Sequence, residues 1–174
     1  MIRLALVRHA KSDWSEEGIA DHDRPLNARG ERDAPAMARR LAVTGFAPDV
    51  IVSSTATRAQ STALAFGAVF GIMPRPVRRL YAASATTLLD AVEEAGAAGA
   101  SSVLLVAHNP GIADLAATLS RGRIAHMPTC AVATFSWADD DWASWTPSTL
   151  SDGTSTCHAG TASRQRRPER AVRP

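Results

Sequence analysis

The chain has few cysteines and no run of apolar residues long enough to cross a membrane. Its two cysteines, Cys130 and Cys157, have no second cysteine or histidine at zinc spacing, so we expect two unpaired thiols and no metal site. A membrane span needs about 20 consecutive apolar residues, and no stretch approaches that length. An apolar strand begins directly after Met1, which leaves no room for a cleavable secretory signal. These absences predict a cytoplasmic protein.

Excess positive charge is missing from most of the chain. Residues 151–174 contain five arginines and two acidic residues, a net charge of +3, so residues 1–150 carry −1 of the overall +2. No aromatic residue stands among the C-terminal arginines, which therefore lack a stacking platform for nucleic-acid bases. Val172 is the only large apolar residue of this segment, too little to offset the entropy of ordering it. We predict one domain over residues 1–150 and a disordered basic tail over residues 151–174, with no nucleic-acid or membrane partner.

Strand and helix patterns alternate along residues 1–150. Strands are predicted at 2–7, 50–53, 77–81 and 103–107, and helices at 27–41, 57–70, 86–94 and 110–119. Asn27 and Thr86 are the expected helix caps, and Pro35 leaves the start of the first helix open. The alternation predicts an α/β fold with a mostly parallel sheet, in which the most apolar strand, 103–107, is central.

A hairpin at the edge of the sheet is predicted near the C-terminus. Residues 131–137 and 142–145 flank Ala138-Asp139-Asp140-Asp141, a turn-like segment. Tryptophans alternate with small residues in both strands, which is typical of packing rather than of ligand stacking.

The clearest functional signal is Arg8-His9 at the end of the first strand. The carboxyl ends of parallel strands are where α/β proteins bind ligands. A guanidinium beside a neutral imidazole is suited to phosphoryl chemistry, in which the arginine binds oxygens and the histidine attacks phosphorus. Alone, this pair of residues is a weak signal.

Two further strands end in matching residues. Arg58 lies in the first turn of the helix that follows strand 50–53, and His108 follows strand 103–107 directly. If the strands are parallel, Arg8, His9, Arg58 and His108 meet at one edge of the sheet. Together they supply two guanidiniums, a nucleophile and a second imidazole.

This ordered set resembles the histidine phosphatase superfamily, whose fold is that of the phosphoglycerate mutases, and within it the small SixA-type phosphohistidine phosphatases. The resemblance covers roughly residues 1–146 and rests on four segments: Arg8-His9-Ala10-Lys11-Ser12-Asp13-Trp14, Asp23-Arg24-Pro25-Leu26-Asn27-Ala28-Arg29-Gly30, Ser53-Ser54 with Arg58-Ala59-Gln60-Ser61-Thr62, and His108-Asn109. It implies a three-layer sandwich around the mostly parallel sheet.

The resemblance also implies the mechanism and the site. His9 attacks phosphorus to form a phosphohistidine enzyme that water hydrolyses, and a backbone carbonyl fixes its tautomer. Arg8 and Arg58 bind the phosphoryl oxygens, and His108 supplies a third contact. The catalytic set is therefore His9, Arg8, Arg58 and His108, without a metal or cofactor. His22, His126 and His158 lack this support, although the loop of His22 lies where it would line the mouth.

A proton donor for the leaving group is missing where mutases and acid phosphatases place a carboxylate. After Leu80-Tyr81 the sequence is Ala82-Ala83-Ser84-Ala85, which leaves Asp13, Asp21 and Asp23 as conceivable substitutes. Without an acid, an alkyl phosphate has a poor leaving group. The imidazole of a phosphohistidine needs no such help, because its conjugate acid titrates near 6.5.

The sequence thus favours a monomeric, metal-independent protein phosphohistidine phosphatase. Only 50 residues separate Arg58 from His108, too few for an insertion that would cover the site, and an open pocket admits a side chain of another protein. A small-molecule phosphomonoesterase of the same fold and a non-catalytic phosphate-binding protein remain alternatives.

Overall fold

A computed structural model describes residues 1–15, 17–138, 142 and 156–158, the last three without their side chains. The strands are β1 (Ile2–Arg8), β2 (Val50–Ser54), β3 (Arg75–Val77), β4 (Ser102–Ala107), β5 (Val132–Trp137) and β6 (Thr156–His158). The helices are α1 (Ala28–Val43), α2 (Thr57–Phe70), α3 (Ala85–Ala97) and α4 (Gly111–Leu119), with short 3₁₀ turns at Asp21–Asp23 and Arg78–Leu80.

The six strands form one mixed sheet in the order β3-β2-β4-β1-β5-β6. The neighbours from β3 to β1 run parallel, whereas β5 is antiparallel to β1 and β6 is antiparallel to β5. Every residue of β4 is buried, as expected of a central strand covered on both faces. The predicted α/β fold with a mostly parallel sheet and a central strand at 103–107 is confirmed.

Helices cover both faces of the sheet and give the three layers that the resemblance implied. On one face α1 and α2 bury Met37 and Phe66 against β1, β2 and β4. On the other face α3 and α4 bury Leu88 and Ile112. Because neighbouring side chains of a strand point to opposite faces, the apolar strands supply both cores. Among the described residues, no helix is long and apolar enough to span a membrane.

The register of the sheet aligns the carboxyl ends of β1, β4 and β2 along one edge. Arg8 at the end of β1 pairs with Ala107 of β4, and Ser53 of β2 pairs with Val106 of β4. The residues that follow each strand therefore emerge side by side. This edge of the sheet is the place where a common site can form.

The third predicted strand is wrong in its position. Strand β3 covers Arg75–Val77, and the chain then turns through the 3₁₀ segment Arg78–Leu80 instead of continuing to Tyr81. Strand β3 is a short edge strand whose Pro76 has no N–H for a ladder bond. Leu80 lies in this turn and is fully buried. An apolar residue at that position made the sequence resemble the end of a strand.

The helix caps agree with the prediction in one case and differ in the other. Asn27 caps α1, and its side chain accepts a hydrogen bond from the Gly30 N–H at 3.0 Å. Helix α3 is capped by Ser84 rather than Thr86, because the Ser84 hydroxyl reaches the Thr87 N–H. Pro35 does not delay the start of α1, which begins seven residues earlier, at Ala28.

At the C-terminal edge of the sheet, β5 pairs antiparallel with β6, and the strand predicted over residues 142–145 lies mostly outside the described residues. Of those residues only Trp142 is described, and it is buried against Trp137, which confirms the packing role of both rings. Strand β6 lies within the segment 151–174 that we predict to be a tail. The rest of that segment lies outside the described residues, so its disorder stays a prediction.

The close approach of Gly111 to the loop before α3 yields a stability prediction. A Cβ atom at this first residue of α4 would lie 2.0 Å from the carbonyl oxygen of Ala83, a backbone atom that cannot turn away. We expect Gly111→Ala to lower the free energy of unfolding by about 1–3 kcal/mol, measured by urea denaturation. The exposed Thr118→Ala in the same helix is the control and should change it by no more than about 0.5 kcal/mol. Equal effects of the two substitutions would contradict the steric argument.

Candidate active site

His9 is held by the backbone at the tip of β1. Its Nδ1–H donates to the Ala10 carbonyl at 2.7 Å, so the proton lies on Nδ1 and the lone pair on Nε2. The Nε–H of Arg58 points at that lone pair from 3.4 Å. The ring is 7% exposed. The geometry leaves the lone pair of Nε2, which accepts only the long bond from Arg58, as the nucleophilic position of a neutral imidazole.

Arg58 is buried beside His9 at the start of α2. Its Nη1 donates to the Asp21 carbonyl, and its Nη2 donates to Asp21 Oδ2 at 2.9 Å. Its backbone carbonyl accepts from the Thr62 hydroxyl, which in turn accepts from the Ala10 N–H. The same helix turn therefore fixes both the guanidinium and the loop that follows His9.

His108 and Arg8 complete the set that the sequence predicted. The His108 ring lies 5.0 Å from the His9 ring, centroid to centroid, and its Nε2 is 2.8 Å from the Ser54 hydroxyl. Arg8 donates through Nη1 to the Met127 carbonyl. In the part of the chain that the structure describes, Arg8 Nε and His108 Nδ1 are buried without a hydrogen-bond partner. Buried polar atoms of this kind are costly, and in a binding site they are the groups that a ligand satisfies.

Both imidazoles are neutral at physiological pH. Burial lowers the pKa of His9 to about 4; the Ala10 hydrogen bond opposes this shift, and the charges of Arg58 and Arg8 add to it. Burial is the largest cause that lowers the pKa of His108 to about 3, and the neighbouring His9 ring and Arg58 charge lower it further. Loss of water around the two rings therefore contributes more to their neutrality than the neighbouring arginines do.

Asp21, which the sequence offered only as a conceivable proton donor, and Tyr81, which it did not single out, both lie at the site. Asp21 Oδ1 accepts from Arg24 Nε and Nη2, and Oδ2 accepts from Arg58 and from the Tyr81 hydroxyl at 2.8 Å. Burial raises the pKa of Asp21, but the bonds from Tyr81 and Arg58 outweigh it, and the pKa falls to about 2. The Tyr81 ring packs edge-on against His108.

The other candidate residues lie apart from the nucleophile. His22 bonds Asp23 and the Thr55 hydroxyl and touches the Tyr81 ring, so it lines the mouth as expected. His126 is exposed in the loop before β5. The side chain of His158 lies outside the described residues.

Trp14 lies on an exposed loop and packs against Arg24. The Arg24 guanidinium lies 3.3 Å from the centre of the Trp14 ring, and Trp14 is 71% exposed. Arg24 is itself buried and donates to the Asp13 carbonyl as well as to Asp21. This arginine therefore links the exposed loop to the carboxylate that holds Arg58.

The family model that matches the chain is the histidine phosphatase superfamily (branch 1), over residues 4–84. An uncharacterized chloroplastic protein of Arabidopsis thaliana is 32% identical over 150 residues, which are 80% of this chain and 68% of that protein. An uncharacterized protein of Mycobacterium tuberculosis is 38% identical over 114 residues, 66% of this chain and 70% of the relative.

Solved structures with the same fold include two bacterial proteins assigned as phosphohistidine phosphatase SixA. The Agrobacterium tumefaciens protein has a TM-score of 0.71 and 31% identity, covering 79% of this chain and 92% of that one. The protein named from Nakamurella multipartitia has a TM-score of 0.70 and 28% identity, covering 91% and 94%. A mycobacterial glucosyl-3-phosphoglycerate phosphatase, at 24% identity and a TM-score of 0.62 over 80% and 93%, shares the fold.

The parallel strand ends, the matched model and these relatives agree with one another. The chain belongs to the histidine phosphatase superfamily, branch 1, and is a SixA-type phosphatase.

Proposed function

We propose that this phosphatase removes phosphoryl groups from phosphohistidine side chains of other proteins, through a phosphorylated His9. The observation that carries the proposal is the His9 ring, whose Nδ1–H is bound to the Ala10 carbonyl while Nε2 faces Arg58. Such a ring is a neutral nucleophile aimed at the region where a guanidinium binds phosphoryl oxygens.

The first chemical step exchanges one P–N bond for another. The Nε2 lone pair of His9 forms a bond to phosphorus, and the electron pair of the breaking P–N bond goes to the substrate ring. If that ring is protonated on its other nitrogen, it leaves as neutral imidazole without an acid from the enzyme. Water then attacks phosphorus, a proton passes to solvent, and phosphate and neutral His9 are released.

The arginines and His108 stabilise the charge of the transferring group. Arg8 and Arg58 bind the equatorial oxygens, and His108 contacts the phosphoryl group as charge develops. The unpaired buried atoms Arg8 Nε and His108 Nδ1 support these roles.

None of the three aspartates that the sequence suggested as proton donors is suited to that role. Asp21 is held ionised by four hydrogen bonds, and its pKa is about 2. Hydrogen bonds from Ser15 lower the pKa of the exposed Asp13. Asp23 bonds the ring of His22. This supports a substrate whose leaving group departs without enzymatic protonation, which favours phosphoramidates over alkyl esters.

A small phosphate ester is the second candidate substrate. The observation in its favour is the fold that the chain shares with the glucosyl-3-phosphoglycerate phosphatase. The absence of an ionisable acid that keeps its proton, within the described part of the site, weighs against it.

Trapping of the phosphoenzyme tests the mechanism. With a ³²P-labelled phosphohistidine peptide and rapid acid-free quenching, the wild-type chain should carry label and His9→Ala should carry none. His126→Ala removes an exposed histidine outside the site and should retain the label. Label on His9→Ala would contradict the role of His9, and absence of label on every variant would favour a binding protein.

The pKa values of the imidazoles give a second prediction. Because the folded-state pKa of His9 is about 4 and that of His108 about 3, both rings should stay neutral as the pH falls through 6.5, where an ordinary histidine titrates. NMR titration of the ring resonances should show the His9 and His108 signals unchanged down to about pH 5. A His9 titration above pH 6 would contradict the neutral nucleophile.

The substrate class is tested by comparing leaving groups. We expect kcat/KM for a phosphohistidine peptide to exceed that for ethyl phosphate by at least about a hundredfold, the usual contribution of a general acid. An aryl phosphate, whose leaving group departs as a stable phenolate, is the control for an active site in working order. Comparable kcat/KM values for the peptide and the alkyl ester would favour the small-molecule alternative.

A further inference from the structure

The Asp21 carboxylate is an anion fixed inside the binding site for another anion. Its Oδ2 is 2.9 Å from Nη2 of Arg58, the arginine that faces His9. About half of the Asp21 side chain is exposed, so the carboxylate lies at the open side of the site. Any phosphoryl group bound by Arg58 is therefore close to this negative charge.

Hydrogen bonds fill the accepting capacity of this carboxylate. Two carboxylate oxygens offer about four lone-pair positions. Two bonds from Arg24, one from Arg58 and one from the Tyr81 hydroxyl occupy them. The Asp21 carbonyl also accepts from Arg58 Nη1, so both outer nitrogens of that guanidinium face one residue. Asp21 thus fixes the orientation of the Arg58 guanidinium. Rotation of the Asp21 side chain would break the hydrogen bonds to its carboxylate.

The charges of the site add up to that of one phosphoryl group. Arg8, Arg24 and Arg58 supply three positive charges, the two imidazoles supply none, and Asp21 removes one. The resulting +2 balances a phosphoryl dianion. Among the described residues that bond Arg58, a second anionic group beside the phosphorus would face the Asp21 carboxylate.

We propose that Asp21 is a positioning and specificity-determining residue, which orients Arg58 and restricts the site to single phosphoryl groups on neutral or cationic leaving groups. This inference rests on the proposed function, because it assumes that the phosphoryl group binds at Arg58. Phosphohistidine, with its protonated ring, is of the favoured kind. Bisphosphates, diphosphates and phosphorylated carboxylic acids are of the disfavoured kind.

Binding of inorganic phosphate and pyrophosphate to the full chain tests the inference. Calorimetry gives both dissociation constants for wild type, Asp21→Asn, Asp21→Glu and Asp23→Asn. Asp21→Asn should raise the affinity for pyrophosphate relative to phosphate about tenfold, the repulsion expected between unit charges about 6 Å apart at an effective dielectric constant of about 40. Asp21→Glu keeps the charge and should keep the wild-type ratio.

Asp23→Asn is the matched control, since it removes the same charge from the same 3₁₀ turn but from a residue that bonds His22. Its ratio should stay at the wild-type value. An unchanged ratio in Asp21→Asn, or an equal shift in Asp23→Asn, would overturn the inference. A gain in pyrophosphate affinity is not a result that general damage to the fold produces.

A measurement on the wild type keeps the inference testable even if Asp21→Asn does not fold. Wild-type chain should bind pyrophosphate no more tightly than phosphate, despite the extra charge, and a clear preference for pyrophosphate would overturn the inference. These measurements need no turnover. A chain that binds phosphate but does not hydrolyse phosphohistidine counts against the proposed function alone. The ratio of pyrophosphate to phosphate affinity, compared between wild type and Asp21→Asn, tests the role of Asp21 alone.

Discussion

Two imidazoles remain uncharged beside three buried or half-buried guanidiniums, and the chemistry of the site depends on this. Removal of water from His9 and His108 disfavours the protonated rings more than the neighbouring arginines do. A single carbonyl, that of Ala10, then decides which nitrogen of His9 carries the proton. The nucleophilic ring and the arginines that bind the anion can thus lie in contact without the ring being protonated. The packing of the domain, and not an additional base, supplies the reactive form.

Asp21 connects two properties that are otherwise separate. The hydrogen bonds that fix Arg58 also hold the carboxylate ionised, which makes it useless as a donor of protons. This half-exposed carboxylate can therefore act through its negative charge but not as a proton donor. Substrate preference in such a site is determined by the charge and the protonation state of the leaving group.

Sequence patterns predicted the α/β fold with its mostly parallel sheet and the positions of Arg8, His9, Arg58 and His108 at the strand ends. Strand β4 could be predicted because a strand buried on both faces is apolar along its whole length. His108 directly follows this strand. The contact between Asp21 and Tyr81 could not be predicted, because it joins residues 60 positions apart and depends on a 3₁₀ turn that has no distinctive sequence pattern. The same turn explains the misplaced third strand. The lowering of the His9 pKa by burial also could not be predicted, because it depends on how the side chains pack around the ring.

The parallel register of β1, β4 and β2 has a consequence for how the protein becomes active. Arg8, Arg58 and His108 are distant in the chain and approach one another only when non-adjacent strands pair across β4. No single hairpin or helix can assemble even part of this anion-binding edge in advance. Such long-range pairing is entropically costly and comes late in folding. Affinity for phosphate should therefore be absent from partly folded chains and from isolated fragments, so that its appearance marks the completion of the sheet.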